Sequence, residues 1–179
     1  MANKWIVFFS QTGAEIADIS ESLGRWPDLI ITNKRPDHLR TIDPRIIEYG
    51  YTELPNKPVP DDYEVVLQDN AIITLHGWLR IMPKTICEKY LVYNGHPGLI
   101  TKYPELKGKD PQERAFEGKY KTAGSVIHEV VPEVDAGKIL HENVINIEGL
   151  TLDEVYSSLH DVSTNLWIDF LREKFNVAS

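Results

Sequence analysis

The sequence predicts one α/β domain, Rossmann-like, with a mostly parallel twisted sheet and helices on both of its faces. Three observations lead there. Short continuous apolar runs (Trp5–Phe9, Leu29–Thr32, Ala71–Leu75) read as strands buried on both faces, the habit of parallel sheets. Between the first two lies a stretch with helical spacing, so a β-α-β unit closes within about thirty residues. The length, 179 residues, suits a single domain with a real core, taken here as 1–179.

The elements follow in order. After the first strand, Ser10-Gln11-Thr12-Gly13 is turn-like, and Ala14 to Leu23 repeats apolar residues at Ile16, Ile19 and Leu23, with Gly24 as a stop. Ile42 to Tyr49 is read as a short helix. Leu54 to Pro60 holds three prolines and must be loop. A helix over Asp61 to Gln68 precedes the third strand, and a short helix over Pro83 to Lys89 has Pro83 in its first turn. Leu91–Tyr93 is a fourth strand. Asp110-Pro111-Gln112-Glu113 has the form of a helix start that runs to Gly118, with Asp110 as cap. Ser125–Val131 and Ile139–Ile147 are further strands. Thr151-Leu152-Asp153-Glu154 is a capping box opening a long helix with apolar positions Leu152, Val155, Leu159, Val162, Leu166 and Phe170.

Composition narrows the function. The formal net charge is -8, which counts against a general nucleic-acid binder. A single cysteine, Cys87, allows no internal disulfide and fits a reducing compartment. No apolar run approaches the roughly 18 residues of a membrane span. Met1-Ala2-Asn3-Lys4 leads straight into a strand without a secretory pattern, so a cytoplasmic location is expected.

Two segments carry candidate chemistry. In Tyr93-Asn94-Gly95-His96-Pro97-Gly98-Leu99, Asn94 and His96 stand two apart after a strand, and Pro97 biases His96 toward extended backbone. Residues at i and i+2 of an extended chain point the same way, so an amide and an imidazole would project together from the C-terminal edge of the sheet, where parallel sheets usually place ligands. Taken alone, Asn, Gly and Pro also make ordinary turns. The second segment, Val130 to Ile139, holds Asp135 in a loop between two strands; alone, such an aspartate is most often a solvated turn residue.

Together these segments resemble the paired motifs of the 10-formyltetrahydrofolate-dependent formyltransferases, an Asn-x-His-Pro-x-Leu segment followed by a loop with Asp-x-Gly. The matching residues are Asn94, His96, Pro97, Leu99, Asp135 and Gly137. Gly77 to Met82, Lys102-Tyr103-Pro104 with Leu106, and Gly124-Ser125 with His128 match in order, and the resemblance runs from about Lys4 to Phe170. Size and pattern are nearest the branch that formylates glycinamide ribonucleotide in purine biosynthesis. The resemblance implies a transferase that moves a formyl group from 10-formyltetrahydrofolate, a co-substrate, to a primary amine, with no metal. It implies Asn94, His96 and Asp135 as catalytic residues. The implied folate contacts are Arg80, Ile81, Met82, Ile86, Val131 and Val134. The implied acceptor contacts are Ser10, Thr12, Gly13, Trp78 and Pro97.

The chemistry suits those residue types. When a neutral amine attacks a formamide carbon, negative charge develops on the formyl oxygen, and a donor placed there lowers the barrier by several kcal/mol. Asn94 offers a neutral donor and His96 one that can be cationic. Asp135 near His96 would favour the imidazolium and could relay the amine's proton. Cys87, on a helix with no evident base, is read as a core residue.

The chain departs from the purine branch at three places. Its first strand–helix turn offers only Thr12 and Gly13 for a phosphate, with the negative Glu15 beside them. His160-Asp161-Val162-Ser163 lacks a glutamate expected on the last helix. Lys107 replaces a common histidine. The acceptor therefore stays open between glycinamide ribonucleotide and an amino sugar nucleotide or other small amine. Methionyl-tRNA formylation would ask for a second, basic domain, and a formyltetrahydrofolate hydrolase for a regulatory one. A non-catalytic folate or nucleotide binder is the alternative of another class; a dinucleotide-dependent oxidoreductase lacks its Gly-rich fingerprint. The expected partners are the amine and folate, with no nucleic acid, no membrane and a homodimer left open. Of the other histidines, His128 is either structural or near the site, and His76, at a strand end, is the best of the remainder.

Overall fold

The computed structural model describes residues 4–33, 41–67, 70–132 and 137–175. The elements are β1 (Lys4–Phe9), α1 (Ala14–Leu23), β2 (Leu29–Thr32), α2 (Pro44–Tyr49), β3 (Thr52–Glu53), α3 (Pro60–Val66), β4 (Ala71–Leu75), α4 (Lys84–Lys89), β5 (Leu91–His96), a 3₁₀ turn (Pro104–Leu106), α5 (Pro111–Glu117), β6 (Thr122–Glu129), β7 (Ile139–Asn146) and α6 (Leu152–Phe175). The strands form a seven-stranded, mostly parallel sheet in the order β3-β2-β1-β4-β5-β6-β7. The chain divides into two compact units, Met1–Asn94 with Val130–Pro132 and Gly95–Glu129 with Glu133–Ser179.

In the first unit, β1 pairs in parallel with β2 on one side and β4 on the other. That central place explains why Trp5 to Phe9 are apolar without alternation: both faces of the strand are covered, and all five residues are buried. One core cluster gathers Ile6, Phe8, Tyr63, Ile73, Trp78, Met82, Ile86 and Val92. Burying one such aliphatic side chain contributes roughly 1.5–3 kcal/mol. On the other face of β1 and β4, Trp5 and Thr74 begin a polar chain. Trp5 Nε1 donates to Thr74 Oγ1 at 2.9 Å, Thr74 Oγ1 lies 2.7 Å from His76 Nε2, and His76 Nδ1 lies 2.8 Å from Glu15 Oε1.

In the second unit, β6 and β7 pair antiparallel, with a register shift at Ile127/His128. The long helix α6 buries Val155, Leu159, Ser163, Leu166, Trp167, Phe170 and Leu171. Its capping box is formed: Glu154 N donates to Thr151 Oγ1 and Thr151 N to Glu154 Oε1, at 3.2 and 3.0 Å.

Several boundaries differ from the sequence reading, each for a local reason. Strand β5 runs on to His96, so Asn94 and His96 belong to the strand instead of following it. The pair β3 is only two residues long and has no pattern to betray it; it forms because Ile31 and Thr32 of β2 pair with Thr52 and Glu53. Pro83 caps α4 from outside its first turn. Asp110 sits in left-handed backbone, φ 52°, and makes no side-chain cap on α5. Strand β6 starts three residues earlier than expected and stops at Glu129, where Glu129 N donates to Lys138 O and Val130 N turns to Val92 O. Helix α3 ends at Val66, and residue Gln68 of the expected helix lies outside the described residues.

Candidate active site

His96 is buried, 5% exposed, and its ring is held at one nitrogen. Its Nε2 lies 2.9 Å from the backbone oxygen of Leu106. A carbonyl only accepts, so Nε2 carries the hydrogen. The second ring proton, when present, is therefore on Nδ1, and this is the atom through which His96 can donate as a cation or accept as a neutral ring. Gly98 leaves the space this arrangement needs: a Cβ there would stand 2.9 Å from His96 Nε2 and 2.7 Å from Cβ of Pro111. Asn94, half-buried, is two residues back on β5, so strand alternation gives both side chains the same facing. Pro97 follows, also half-buried.

Asp135 and Val134 lie outside the described residues; the residues that flank 133–136 are described. At the near end, Val130 packs on the first unit's core and Val131 is at the surface. At the far end, Gly137 lies on the backbone of Glu129: a Cβ at Gly137 would come 1.6 Å from Glu129 O. The glycine of the Asp-x-Gly segment is thus demanded by a backbone crossing, and the Glu129–Lys138 hydrogen bond of 2.9 Å closes the same crossing. Nearby, His128 is buried, with Nδ1 2.9 Å from Glu129 O.

The expected folate residues separate into two kinds. Met82 and Ile86 are core residues of the first unit. Ile81 is 68% exposed, on an irregular segment between Gly77 and α4. An isoleucine left in water beside irregular backbone suits a flat heterocycle, which needs an apolar face and backbone groups at its edge. Arg80 is turned to Asn56, donating from Nε to its backbone oxygen at 2.9 Å and from Nη2 to Oδ1 at 3.3 Å. Cys87 is half-buried, burial pushes its thiol above the ordinary value, and its Sγ lies 3.9 Å from Met82 O. An un-ionised thiol is a poor nucleophile, in keeping with a packing role.

Expected acceptor residues in the first unit are mostly held by the fold. Ser10 Oγ accepts from Leu79 N at 3.0 Å, and Thr12 Oγ1 from Ala14 N at 3.2 Å, at the start of α1. Gly13, φ 76°, caps α1. Trp78 packs edge-on against Phe8 and Tyr63, with ring centroids 5.1 and 6.3 Å away. Sequence reasoning passed over Arg114 and treated Glu15 only as a charge; Glu15 is tied to His76, and Arg114 is bonded around Leu106. An Arg inside a short helix gave no signal by itself.

Comparisons with known proteins agree with this fold. The matching stretches cover 34% of the length of a methionyl-tRNA formyltransferase from Thermotoga neapolitana, at 36% identity over 60% of this chain. They cover 37% of a phosphoribosylglycinamide formyltransferase from Dictyostelium discoideum, at 38% identity over 38% of this chain. The chain thus spans about a third of the length of these relatives. Among solved structures, glycinamide ribonucleotide transformylase 1 from Geobacillus kaustophilus superposes with a TM-score of 0.79 at 20% identity, covering 98% of this chain and all of that one. Phosphoribosylglycinamide formyltransferase from Bacillus halodurans gives 0.78 at 23% identity, covering 95% of this chain and 94% of that one. Both share the fold. The family described as formyl transferase matches residues 55–171, well over half of the sequence and all of β4 to α5, and the chain belongs to that family.

Proposed function

We propose that this chain is one catalytic domain that transfers a formyl group from 10-formyltetrahydrofolate to the primary amine of glycinamide ribonucleotide. The observation that carries the reading is the pair Asn94 and His96 on one side of β5, in a chain of the formyl transferase family. The amine lone pair forms a bond to the formyl carbon, and the carbonyl electrons move onto oxygen. The Asn94 amide and protonated Nδ1 of His96 donate to that oxygen as it becomes anionic. Since Nε2 is committed to Leu106 O, His96 donates here only as the imidazolium. Asp135 favours that cation and takes the amine's proton, directly or through water. Collapse of the tetrahedral intermediate breaks the bond to the folate nitrogen, which leaves as tetrahydrofolate carrying the proton that Asp135 took from the amine. Ile81 and Val131 offer the folate apolar surface, and the first turn of α1, after Thr12 and Gly13, meets the acceptor's phosphate through backbone N–H groups.

The similarity to methionyl-tRNA formyltransferases favours a second acceptor for the same chemistry, the amino group of an aminoacylated tRNA. The experiment is an absorbance assay for tetrahydrofolate release with glycinamide ribonucleotide, an amino sugar nucleotide and methionyl-tRNA in parallel. Turnover dependent on glycinamide ribonucleotide, lowered by orders of magnitude in His96→Ala and Asp135→Ala, supports the reading. Turnover with another acceptor only would replace the substrate. Turnover unaffected in both variants would overturn the site.

A further inference from the structure

We infer that Arg114 is a positioning residue for His96, acting through the backbone carbonyl of Leu106. Four of the five guanidinium hydrogens go to the carbonyls of one short segment. Nε donates to Lys109 O at 2.8 Å, Nη1 to Glu105 O at 2.6 Å, and Nη2 to Leu106 O at 3.0 Å and to Lys107 O at 2.9 Å. The same Leu106 oxygen accepts from His96 Nε2 at 2.9 Å. A carbonyl has two lone pairs, and here one takes the arginine and the other the imidazole. The planar, fixed fork of a guanidinium holds several acceptors in one geometry, which an ammonium cannot. Arg114 comes from α5, three residues past Pro111, whose Cβ borders the space at Gly98 beside the His96 ring. The segment 105–109 has only the three-residue 3₁₀ turn as regular structure, so the arginine supplies much of its internal order.

Holding Leu106 O in place decides which ring nitrogen carries hydrogen in the neutral imidazole. With the carbonyl fixed, the Nε2–H tautomer is selected and Nδ1 is left to gain and lose the proton. Should the carbonyl drift, the Nδ1–H tautomer becomes accessible and the ring can rotate. The inference rests on the reading of His96 as catalytic, and it extends that reading to a side chain that meets neither amine nor folate.

The test joins a ring signature to kinetics on the full chain. Two-bond ¹H–¹⁵N spectra of ¹⁵N-histidine-labelled protein, with His96 assigned from a His96→Asn variant, are taken where the ring is neutral. The native chain is expected to show Nε2 as the protonated nitrogen and Nδ1 as the bare one. In Arg114→Gln the two shifts should move toward each other, as for exchanging tautomers. Its kcat should fall about tenfold to a hundredfold, with KM for the folate donor changed little. Arg114→Lys, which keeps the charge but reaches fewer carbonyls, should lie between, and it carries the test by itself if the glutamine variant does not fold. An unchanged His96 signature in a folded variant overturns the inference, whatever the activity. A scrambled signature with full turnover also overturns it; turnover of His96→Asn then tells whether the catalytic reading of His96 has failed as well.

Discussion

The indole of Trp167 lies directly against Gly95, so that a Cβ on Gly95 would stand 2.7 Å from Trp167 Nε1 and 3.1 Å from Cε2. Trp167 is wholly buried in the second unit. The residue between Asn94 and His96 is therefore glycine because the indole of α6 packs on its backbone. Gly95→Ala should destabilise the protein by about 1–3 kcal/mol, as overpacking does. Urea unfolding measures this. Gly95→Ala combined with Trp167→Phe should recover part of the loss; additive effects of the two changes would contradict the contact.

Gly137 makes a comparable demand at the other motif. Its missing Cβ is replaced by the carbonyl oxygen of Glu129. Gly137→Ala must push the backbone at Gly137 away from Glu129, two residues from Asp135 in sequence. The expected result is a loss of turnover of about a hundredfold, since small displacements of a reacting group cost that much. Steady-state kinetics checks it, with circular dichroism to confirm that the sheet persists.

The buried polar chain from Trp5 to Glu15 runs consistently in one direction: the indole donates to Thr74, the hydroxyl to His76 Nε2, and Nδ1 to the Glu15 carboxylate. Thr74→Val keeps the shape and removes the middle member. A loss of about 1–3 kcal/mol is expected, because buried polar groups lose a partner. Thermal unfolding gives the answer, and a neutral outcome would show the chain to be dispensable.

Glu15 is also a test of the acceptor. It places a carboxylate in the first turn of α1, where the proposed phosphate would lie. Glu15→Gln should lower KM for glycinamide ribonucleotide several-fold while leaving KM for an unphosphorylated amine unchanged, since like charge is removed from the anion's path. A rise in KM, or no change, would move the phosphate elsewhere.

Asp43 caps α2 by accepting from Arg45 N at 2.9 Å, and the Arg45 side chain folds back onto the same carboxylate. The Arg45 guanidinium holds the carboxyl below its ordinary value of 3.8. A carboxylate depressed in the folded state contributes fully above its unfolded value and is lost as pH falls through the lower folded one. Asp43→Asn keeps the cap and removes the ion pair with Arg45, so it should cost about 0.5 kcal/mol at neutral pH, and the gap to the native chain should close below pH 3.8. Denaturant midpoints at both pH values decide it; a gap that stays constant would refute the ionic part.

Much of this fold was legible because its signals are local. Helix α1 begins and ends where spacing and Gly24 put it, and β2 and β4 match their apolar runs to the residue. Strand β5 was cut short because Asn94, Gly95 and His96 look like a turn, and only pairing shows them extended: Leu75 of β4 lies opposite Asn94. Asp110 looked like a helix cap since Asp-Pro-x-Glu is a common start, yet its backbone turns left-handed and leaves the side chain elsewhere. Trp78 is implied as an acceptor contact by resemblance alone; that aromatic packing on Phe8 and Tyr63 puts it in the core is visible only in the fold.

What the sequence by itself determined is the parallel α/β core and the two polar segments around Asn94-Gly-His96 and Asp135-x-Gly137. Both depend on neighbours in the chain: apolar periodicity, capping residues, and side chains two apart on a strand. What only the tertiary structure decided is which nitrogen of His96 meets the carbonyl of Leu106, and that Arg114 meets the same oxygen. Leu106 and Arg114 stand ten and eighteen residues further along the chain and are brought there by folding. Hydrogen bonds select by distance in space and by direction, and neither can be read from order along a chain.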